Sequence, residues 1–158
     1  MASDDWDSVR EIYLEGIASG HATFETQAPS WEDWTANHHP FARLVLRTND
    51  GLLGWAALSR VSRRTVYEGV AEVSVYVASS ARGQGLGLLL LQSLIEESEA
   101  HGVWTLQASI FTENDASIRL HRRCGFREVG RRERIAKLHG AWRDTLLMER
   151  RSTIVGTN

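Results

Sequence analysis

The sequence predicts a mixed α/β fold in which helices pack against a layer of strands. Two apolar runs flank the turn residues 49–51 (Asn-Asp-Gly), which is a typical β-hairpin signal. The strand-like stretch 72–77 (EVSVYV) precedes three alternate glycines and a leucine-rich helical run. Two apolar runs near the end of the chain predict a pair of antiparallel strands. Helices and antiparallel strands followed by strand–helix–strand–helix–strand–strand are typical of a mixed layer.

The remaining elements are predicted from periodicity and from cap residues. The N-terminal helix has Ser3 or Asp4 as its expected cap. Its apolar face contains Trp6, Val9 and Tyr13. The other elements, in order, are a loop with a short helix over 23–40, the hairpin over 42–61, a helix from Leu86 to a Gly102 cap, a strand over 103–111, a short helix between Asn114 and Gly125, and strands over 126–135 and 141–150.

Composition predicts one ordinary globular domain over residues 1–158, with a loose tail from about residue 150. Hydrophobic residues make up 42%, and no apolar run approaches the ~20 residues of a membrane-spanning helix. The net charge of −2 offers no basic field for nucleic acid. The single cysteine, Cys124, excludes an internal disulfide and indicates a cytoplasmic protein. The histidines lack metal-ligand spacing, so no metal is expected.

The glycine stretch at 83–87 lies between the predicted strand and helix. Gly83, Gly85 and Gly87 lack Cβ atoms, so the backbone N–H groups at a helix N-terminus can converge on an anion. Arg82 adds a positive charge. The stretch lacks the Walker A ending and has the wrong spacing for a dinucleotide fingerprint. The alternative is a glycine turn that only reverses the chain.

The pattern Arg82-x-x-Gly85-x-Gly87 resembles the acetyl-CoA pyrophosphate loop of the GCN5-related N-acetyltransferases (GNAT superfamily). Further blocks are similar to the phosphinothricin and methionine sulfoximine N-acetyltransferase subfamily, in register from about Ile12 to Met148. They are GHATFET (20–26), GWAALS (54–59), RTVY (64–67), EVSVYV (72–77), SIRLH (117–121) and KLHGAWRD (137–144).

The resemblance implies a GNAT fold, with a central, mostly antiparallel twisted sheet and helices on both faces. It implies acetyl-CoA as co-substrate and direct transfer to the α-amino group of a small amino acid such as phosphinothricin, methionine sulfoximine or methionine sulfone. Family members begin with a short strand, whereas here helix signals start within a few residues of Met1. We therefore expect the first family strand to be missing or truncated.

Two catalytic residues follow from the resemblance. Glu72 stands at the family position of the general base, which an α-ammonium group requires; the alternative is a solvated glutamate at a strand end. His121, four residues before Gly125, stands where many relatives carry a tyrosine that protonates the leaving thiolate. A histidine donates protons near neutral pH, and the alternative is a packed histidine that does not titrate.

The resemblance also implies the cofactor-binding residues. Backbone groups of Val75, Tyr76 and Val77 are expected to pair with the pantetheine arm, with one N–H polarising the thioester carbonyl. The pyrophosphate loop comprises Arg82, Gly83, Gln84, Gly85, Leu86 and Gly87. Asn114 and Ser117 are further expected contacts. Asn114 is alternatively an N-cap, and Ser117 an ordinary helix residue.

The substrate is expected to contact Phe24, Glu25, Thr26, Arg64 and Tyr67. Arginine suits carboxylate and phosphinate oxygens, although a solvated loop also explains Arg63 and Arg64. The six tryptophans are expected mostly as core or interface anchors, with Trp31, Trp34 and Trp142 as further pocket candidates. A homodimer is expected. Two other functions remain open: acetylation of another amine or a protein N-terminus, and non-catalytic binding of acetyl-CoA.

Overall fold

The computed structural model describes residues 1–157. The four helices are α1 (Trp6–Ala18), α2 (Trp31–Asn37), α3 (Leu86–Ala100) and α4 (Asp115–Arg123). The six strands are β1 (Leu44–Thr48), β2 (Gly51–Arg60), β3 (Val70–Val77), β4 (Thr105–Phe111), β5 (Arg127–Leu138) and β6 (Ala141–Arg151). Short 3₁₀ turns lie at Ser3–Asp5, Thr65–Tyr67 and Ser79–Ala81. These elements confirm the predicted order, including the hairpin between β1 and β2.

The strands form one sheet in the order β1-β2-β3-β4-β6-β5. All neighbouring pairs are antiparallel except β3 and β4, which run parallel. The predicted mixed, mostly antiparallel sheet is therefore confirmed. Among residues 1–157 no strand precedes α1, as expected from the early helix signals, and β1 is an edge strand.

The parallel pair is short. β3 and β4 are paired only at Val70–Thr105, Ala71–Leu106 and Glu72–Gln107. Beyond Glu72 the two strands continue without pairing, whereas β2 accompanies β3 as far as Val77. Parallel strands held at one end only leave a wedge between them, and a ligand can enter such an opening in the sheet.

Helices cover both faces of the sheet, as expected. On one face α3 packs Leu91 and Leu94 onto inward residues such as Leu58 and Leu106. On the other face α1 packs onto Trp55 and neighbouring residues, with its buried side made of Trp6, Val9, Ile12, Tyr13 and Gly16. Alternation along β2 explains the two cores, since successive side chains point to opposite faces.

One local prediction was wrong. Neither Ser3 nor Asp4 caps α1; a 3₁₀ turn leads into the helix, and the carboxylate of Asp5 accepts a hydrogen bond from the Ala2 amide at 2.8 Å. At the start of the predicted tail, Ser152 is buried and its amide donates to the Trp104 carbonyl at 2.8 Å. Nη1 of Arg151 donates to the same carbonyl at 2.7 Å. The end of the predicted tail, Asn158, lies outside the described residues.

Within residues 1–157, none of the helices combines the length and apolar character needed to cross a membrane.

Candidate active site

The wedge between β3 and β4 opens into a cavity of about 430 Å³. Its walls come from the separating halves of both strands, from the loop after α1 and from α4. The predicted residues that line it are Phe24, Glu25, Glu72, Val75, Tyr76, Val77, Gly87, Asn114, Ser117 and His121. Residues far apart in the sequence therefore meet at one site, at the point where strand pairing stops.

Glu72 lies at the last paired position of β3, where the wedge begins. Its side chain is half-buried, and its Oε2 accepts a hydrogen bond from Nε2 of Gln107 at 2.8 Å. Because parallel partners face the same side of the sheet, Gln107 holds one carboxylate oxygen and leaves the other for a ligand. Gln107 was not predicted; only the pairing of β3 with β4 identifies it.

The edge of β3 that faces β4 has no partner strand beyond Glu72. Val73, Val75 and Val77 point their side chains into the core beneath α3, so the backbone, rather than these side chains, faces the wedge. Unpaired backbone N–H and C=O groups at a sheet edge accept an added extended chain. This edge fits a pantetheine arm in the way the sequence predicted for Val75, Tyr76 and Val77.

The glycine loop adopts a conformation that suits glycine. Gly83 and Gly85 have φ of +76° and +79°, and Gly85 is the N-cap of α3 without any side-chain cap bond. A Cβ at either glycine would meet no atom within 4 Å, so the surrounding space is open for an anion. Arg82 donates from Nε to the Val77 carbonyl at 3.3 Å, which places its charge beside the loop.

The other loop residues differ in their roles. Gly87 allows close packing, because a Cβ there would lie 3.2 Å from Cδ2 of Leu120. Gln84 is exposed and Leu86 belongs to the core cluster around α1. Only Gly87 of the loop lines the cavity itself; the rest of the loop lies at the N-terminus of α3.

Asn114 is the N-cap of α4, which the sequence analysis gave as the alternative to a cofactor contact. Its Oδ1 accepts from the Ser117 amide at 3.2 Å, and its Nδ2 donates to the His21 carbonyl at 3.1 Å. The Asn114 side chain therefore links the start of α4 to the loop after α1. Asn114 and Ser117 nevertheless both line the cavity.

His121 is buried, with 4% of its surface exposed. Its Nδ1 lies 2.8 Å from the Ser117 carbonyl oxygen; since a carbonyl can only accept, Nδ1 carries a proton. Its Nε2 is buried and has no hydrogen-bond partner within residues 1–157. Burial lowers the pKa of His121 from its usual value, more than the bond to Ser117 raises it. The ring is thus neutral at neutral pH, and Nε2 is a free acceptor.

The site also contains two tyrosine side chains to which the sequence analysis gave no role. Tyr13 and Tyr76 stack edge to face, with ring centroids 5.0 Å apart, and both line the cavity. Burial raises the pKa of both phenols, so they remain protonated donors. The prediction for Tyr76 concerned only its backbone groups. Alternation along β3 places the Tyr76 side chain on the same face as Glu72, and this pattern could have predicted its place at the cavity.

The loop after α1 covers the far end of the cavity. The ring of Phe24 packs edge to face on Phe111, with centroids 4.6 Å apart. Arg143 holds the start of this loop, since its Nη1 donates to the Gly20 carbonyl at 3.0 Å. Phe24 and Glu25 therefore lie at the cavity as predicted, whereas Thr26 is exposed and does not line it.

The structure does not bring the other predicted substrate residues to this cavity. Arg64 and Tyr67 line a second cavity of about 480 Å³ with His39 and Trp104, and the Arg64 guanidinium lies 5.6 Å from the Tyr67 ring centroid. They lie outside the first cavity because the Thr65–Tyr67 turn comes before the start of β3, whereas that cavity is lined by β3 from Glu72 onward.

The tryptophans pack mostly in the core, as expected, and the three pocket candidates do not lie at this cavity. Trp34 is buried, and Trp31 packs beside it with centroids 5.7 Å apart in the core around α1. Trp142 is 55% exposed on β6. Trp31 and Trp34 pack in the core around α1 and Trp142 is exposed on β6, so none of the three lines the cavity.

Within the described part of the chain, no group of three His, Cys, Asp or Glu side chains is placed to hold a metal ion. Cys124 is buried, and burial raises the pKa of its thiol. A buried thiol of this kind is a weak nucleophile.

Comparison with known proteins identifies the family of this chain. The sequence matches the acetyltransferase (GNAT) family over residues 6–126. The phosphinothricin N-acetyltransferase of Alcaligenes faecalis is 34% identical over 157 residues, which cover 95% of this chain and 79% of that protein.

Two solved structures are similar over nearly the whole chain. A GNAT superfamily phosphinothricin acetyltransferase from Sinorhizobium meliloti, in complex with AcCoA, has a TM-score of 0.89 at 31% identity and covers 100% of this chain and 89% of that chain. A ribosomal-protein-alanine N-acetyltransferase from Brucella melitensis has a TM-score of 0.89 at 32% identity and covers 96% and 97%.

The wedge, the glycine loop and these matches define an N-acetyltransferase with acetyl-CoA as co-substrate. The chain belongs to the acetyltransferase (GNAT) family, and its relatives confirm the resemblance to the phosphinothricin N-acetyltransferase subfamily.

Proposed function

We propose that this enzyme acetylates the α-amino group of a small amino acid of the phosphinothricin, methionine sulfoximine or methionine sulfone type. The observation that carries the proposal is the position of Glu72, whose carboxylate lines the cavity at the point where β3 loses its partner strand. A base and an unpaired strand edge thus meet in one cavity. Catalysis by direct transfer needs both.

The reaction follows from these positions. Glu72 takes a proton from the substrate ammonium, directly or through a water molecule. Acetyl-CoA supplies the acetyl group as a thioester. The freed nitrogen attacks the carbonyl carbon, the C–N bond forms as the C–S bond breaks, and the sulfur leaves with the electron pair. A backbone N–H of Val75–Val77 stabilises the carbonyl oxygen as its charge grows.

The thiolate must then receive a proton. As the C–N bond forms, the substrate nitrogen loses its second proton, which Nε2 of His121 accepts and passes to the thiolate. Nε2 must take up this proton first, because the single proton of the ring at neutral pH is on Nδ1 and bonded to the Ser117 carbonyl. The bare Nε2 and the cavity position of the ring support such a relay. A tyrosine at this place would carry its proton from the start.

A small amino acid is favoured over a protein N-terminus by the covered end of the cavity. The Phe24–Phe111 contact and the Arg143 bond to Gly20 hold the loop after α1 across the acceptor side. A polypeptide acceptor needs an open groove for the residues that follow its first one. The Brucella melitensis protein is the reason to keep that second function in the test.

The test is a competition assay. Phosphinothricin, methionine sulfone, spermidine and an alanine-initiated peptide are offered at equal concentration with acetyl-CoA, and each acetylated product is quantified. We expect the two amino acids to take most of the acetyl groups. Preference for the peptide or the polyamine would contradict the substrate class, while no product from any acceptor despite acetyl-CoA binding would indicate a non-catalytic module.

We also propose that the enzyme works as a homodimer. Arg64 and Tyr67 lie outside the cavity of their own chain, and Val66 between them is 67% exposed. Exposed apolar side chains next to unassigned arginines fit a surface that a second copy covers. Light scattering coupled to size-exclusion chromatography measures the mass; a value of one chain at micromolar concentration would contradict the dimer.

A further inference from the structure

Arg132 is a half-buried cation on the cavity side of the sheet. Its Nε donates to Oγ1 of Thr145 at 3.3 Å, and its Nη2 donates to Oγ of Ser109. Ser109 and Thr145 both line the cavity, and Thr145 is almost completely buried. The guanidinium therefore lies against the cavity wall, across β6 from its own strand β5.

The charge of Arg132 is not neutralised within the described residues. Four other arginines of β5 and β6 are each bonded to a carboxylate, Arg127 to Glu149, Arg131 to Asp144, Arg143 to Glu113 and Arg150 to Glu99. Arg134 and Arg151 have no carboxylate within 4 Å in residues 1–157, but both are exposed to solvent. Arg132 has no carboxylate within 4 Å in residues 1–157. Its two partners are hydroxyls, which orient a guanidinium without balancing its charge.

Arg132 also retains hydrogen-bonding capacity. A guanidinium has five N–H donors, of which one reaches Thr145 and one reaches Ser109. The remaining three have no protein acceptor within residues 1–157. A half-buried cation with unused donors is suited to a planar anion such as a carboxylate, which an arginine fork binds in bidentate geometry.

The position of Arg132 relative to Glu72 decides which anion fits. Gln107 bonds Glu72, and Ser109, two residues further along β4 on the same face, bonds Arg132. Two residues along a strand span about 7 Å. In an α-amino acid, nitrogen and carboxylate oxygen are about 3 Å apart. Such a group bridges the two contact points, with its amine toward Glu72 and its carboxylate toward Arg132.

We propose that Arg132 binds the α-carboxylate of the acceptor and thereby selects α-amino acids over amines without a carboxylate. The proposal rests on the proposed function and adds the residue that recognises the substrate class. Ser109 and Thr145 hold the guanidinium in place, and the short distance between the two contact points sets the amine at the base.

The experiment compares L-methionine sulfone with its α-carboxamide, which keeps the amine and removes the negative charge. Arg132→Gln is expected to lower kcat/KM for the acid by roughly 10²-fold, the usual effect of removing one partner of a buried charge pair, and to change kcat/KM for the amide less than about threefold. Arg132→Lys keeps the charge without the fork and is expected to recover part of the acid activity. The matched control is Arg131→Gln, which removes the neighbouring exposed arginine.

The outcomes separate the two proposals. Equal losses for acid and amide in Arg132→Gln, or an unchanged acid preference, would overturn the role of Arg132 and leave the substrate class intact. If the unmodified enzyme acetylates the amide as well as the acid, carboxylate recognition is also overturned. If it acetylates only the peptide, the substrate class is contradicted and the role of Arg132 with it. Unchanged acetyl-CoA affinity shows that each variant is folded.

Discussion

Nε2 of Gln107 donates to Oε2 of Glu72 across the last paired position of the two parallel strands, at 2.8 Å. The bond lies where the sheet stops being continuous, so the carboxylate is held by β4 on one side and faces the cavity on the other. A base positioned in this way loses little freedom when the substrate binds.

The first prediction concerns this base. Glu72→Gln keeps the size of the side chain and removes its basicity, so kcat at neutral pH is expected to fall by roughly 10²-fold or more. Acetyl-CoA affinity, measured by calorimetry, is expected to stay the same. The control is Glu133→Gln, an exposed glutamate on β5. A parent-like rate in Glu72→Gln would make Glu72 a structural residue only.

The second prediction concerns the glycine loop. Gly85 and Gly140 have nearly equal φ, +79° and +80°, and a Cβ at either would meet nothing within 4 Å. Valine at each position is expected to cost about 1–2 kcal/mol of stability through the left-handed backbone. Only Gly85→Val is expected to weaken acetyl-CoA binding, by tenfold or more, because only Gly85 lies at the N-terminus of α3.

Thermal unfolding and calorimetry measure the two effects separately. Equal acetyl-CoA affinity in both glycine variants would show that the loop at 83–87 does not approach the cofactor.

The third prediction concerns proton donation to the thiolate. His121→Tyr is expected to retain more activity than His121→Phe, because a phenol carries a proton at neutral pH and the phenyl ring carries none. The measurement is kcat under saturating acetyl-CoA. Identical kcat in the two variants would mean that water or another group protonates the sulfur.

The fourth prediction concerns stability against pH. Burial lowers the pKa of His121 below its ordinary value of 6.5, so on acidification the unfolded chain binds the proton first. The stability that the neutral ring contributes is present above pH 6.5 and is lost as the pH falls toward the lowered pKa. Unfolding midpoints measured from pH 7.5 to 5 are expected to decrease.

The decrease on acidification is expected to be smaller in His121→Phe, which has no proton to bind. Burial also lowers the pKa of His39, so the unfolding midpoint of His121→Phe is still expected to decrease somewhat as the pH falls. A slope identical to that of the parent would contradict the assignment for His121.

Much of the local structure was predictable because it depends on neighbouring residues. The hairpin at 49–51, the N-cap at Asn114 and the glycine loop before α3 are encoded by short stretches whose backbone preferences are intrinsic. Alternation in β3 also placed Glu72 and Tyr76 on one face. The position of Ser152 depends on its hydrogen bond to Trp104, 48 positions earlier in the chain, which no local pattern reveals.

The sequence by itself determined the fold class and the glycine loop before α3, since these follow from periodicity and motif spacing. Only the tertiary structure decided that β3 and β4 part after Glu72, that Gln107 bonds the Glu72 carboxylate, and that Arg132 reaches the cavity wall from β5. Strand order and separation depend on packing between segments distant in the chain, and a one-residue change of register would turn each of these side chains to the other face of the sheet.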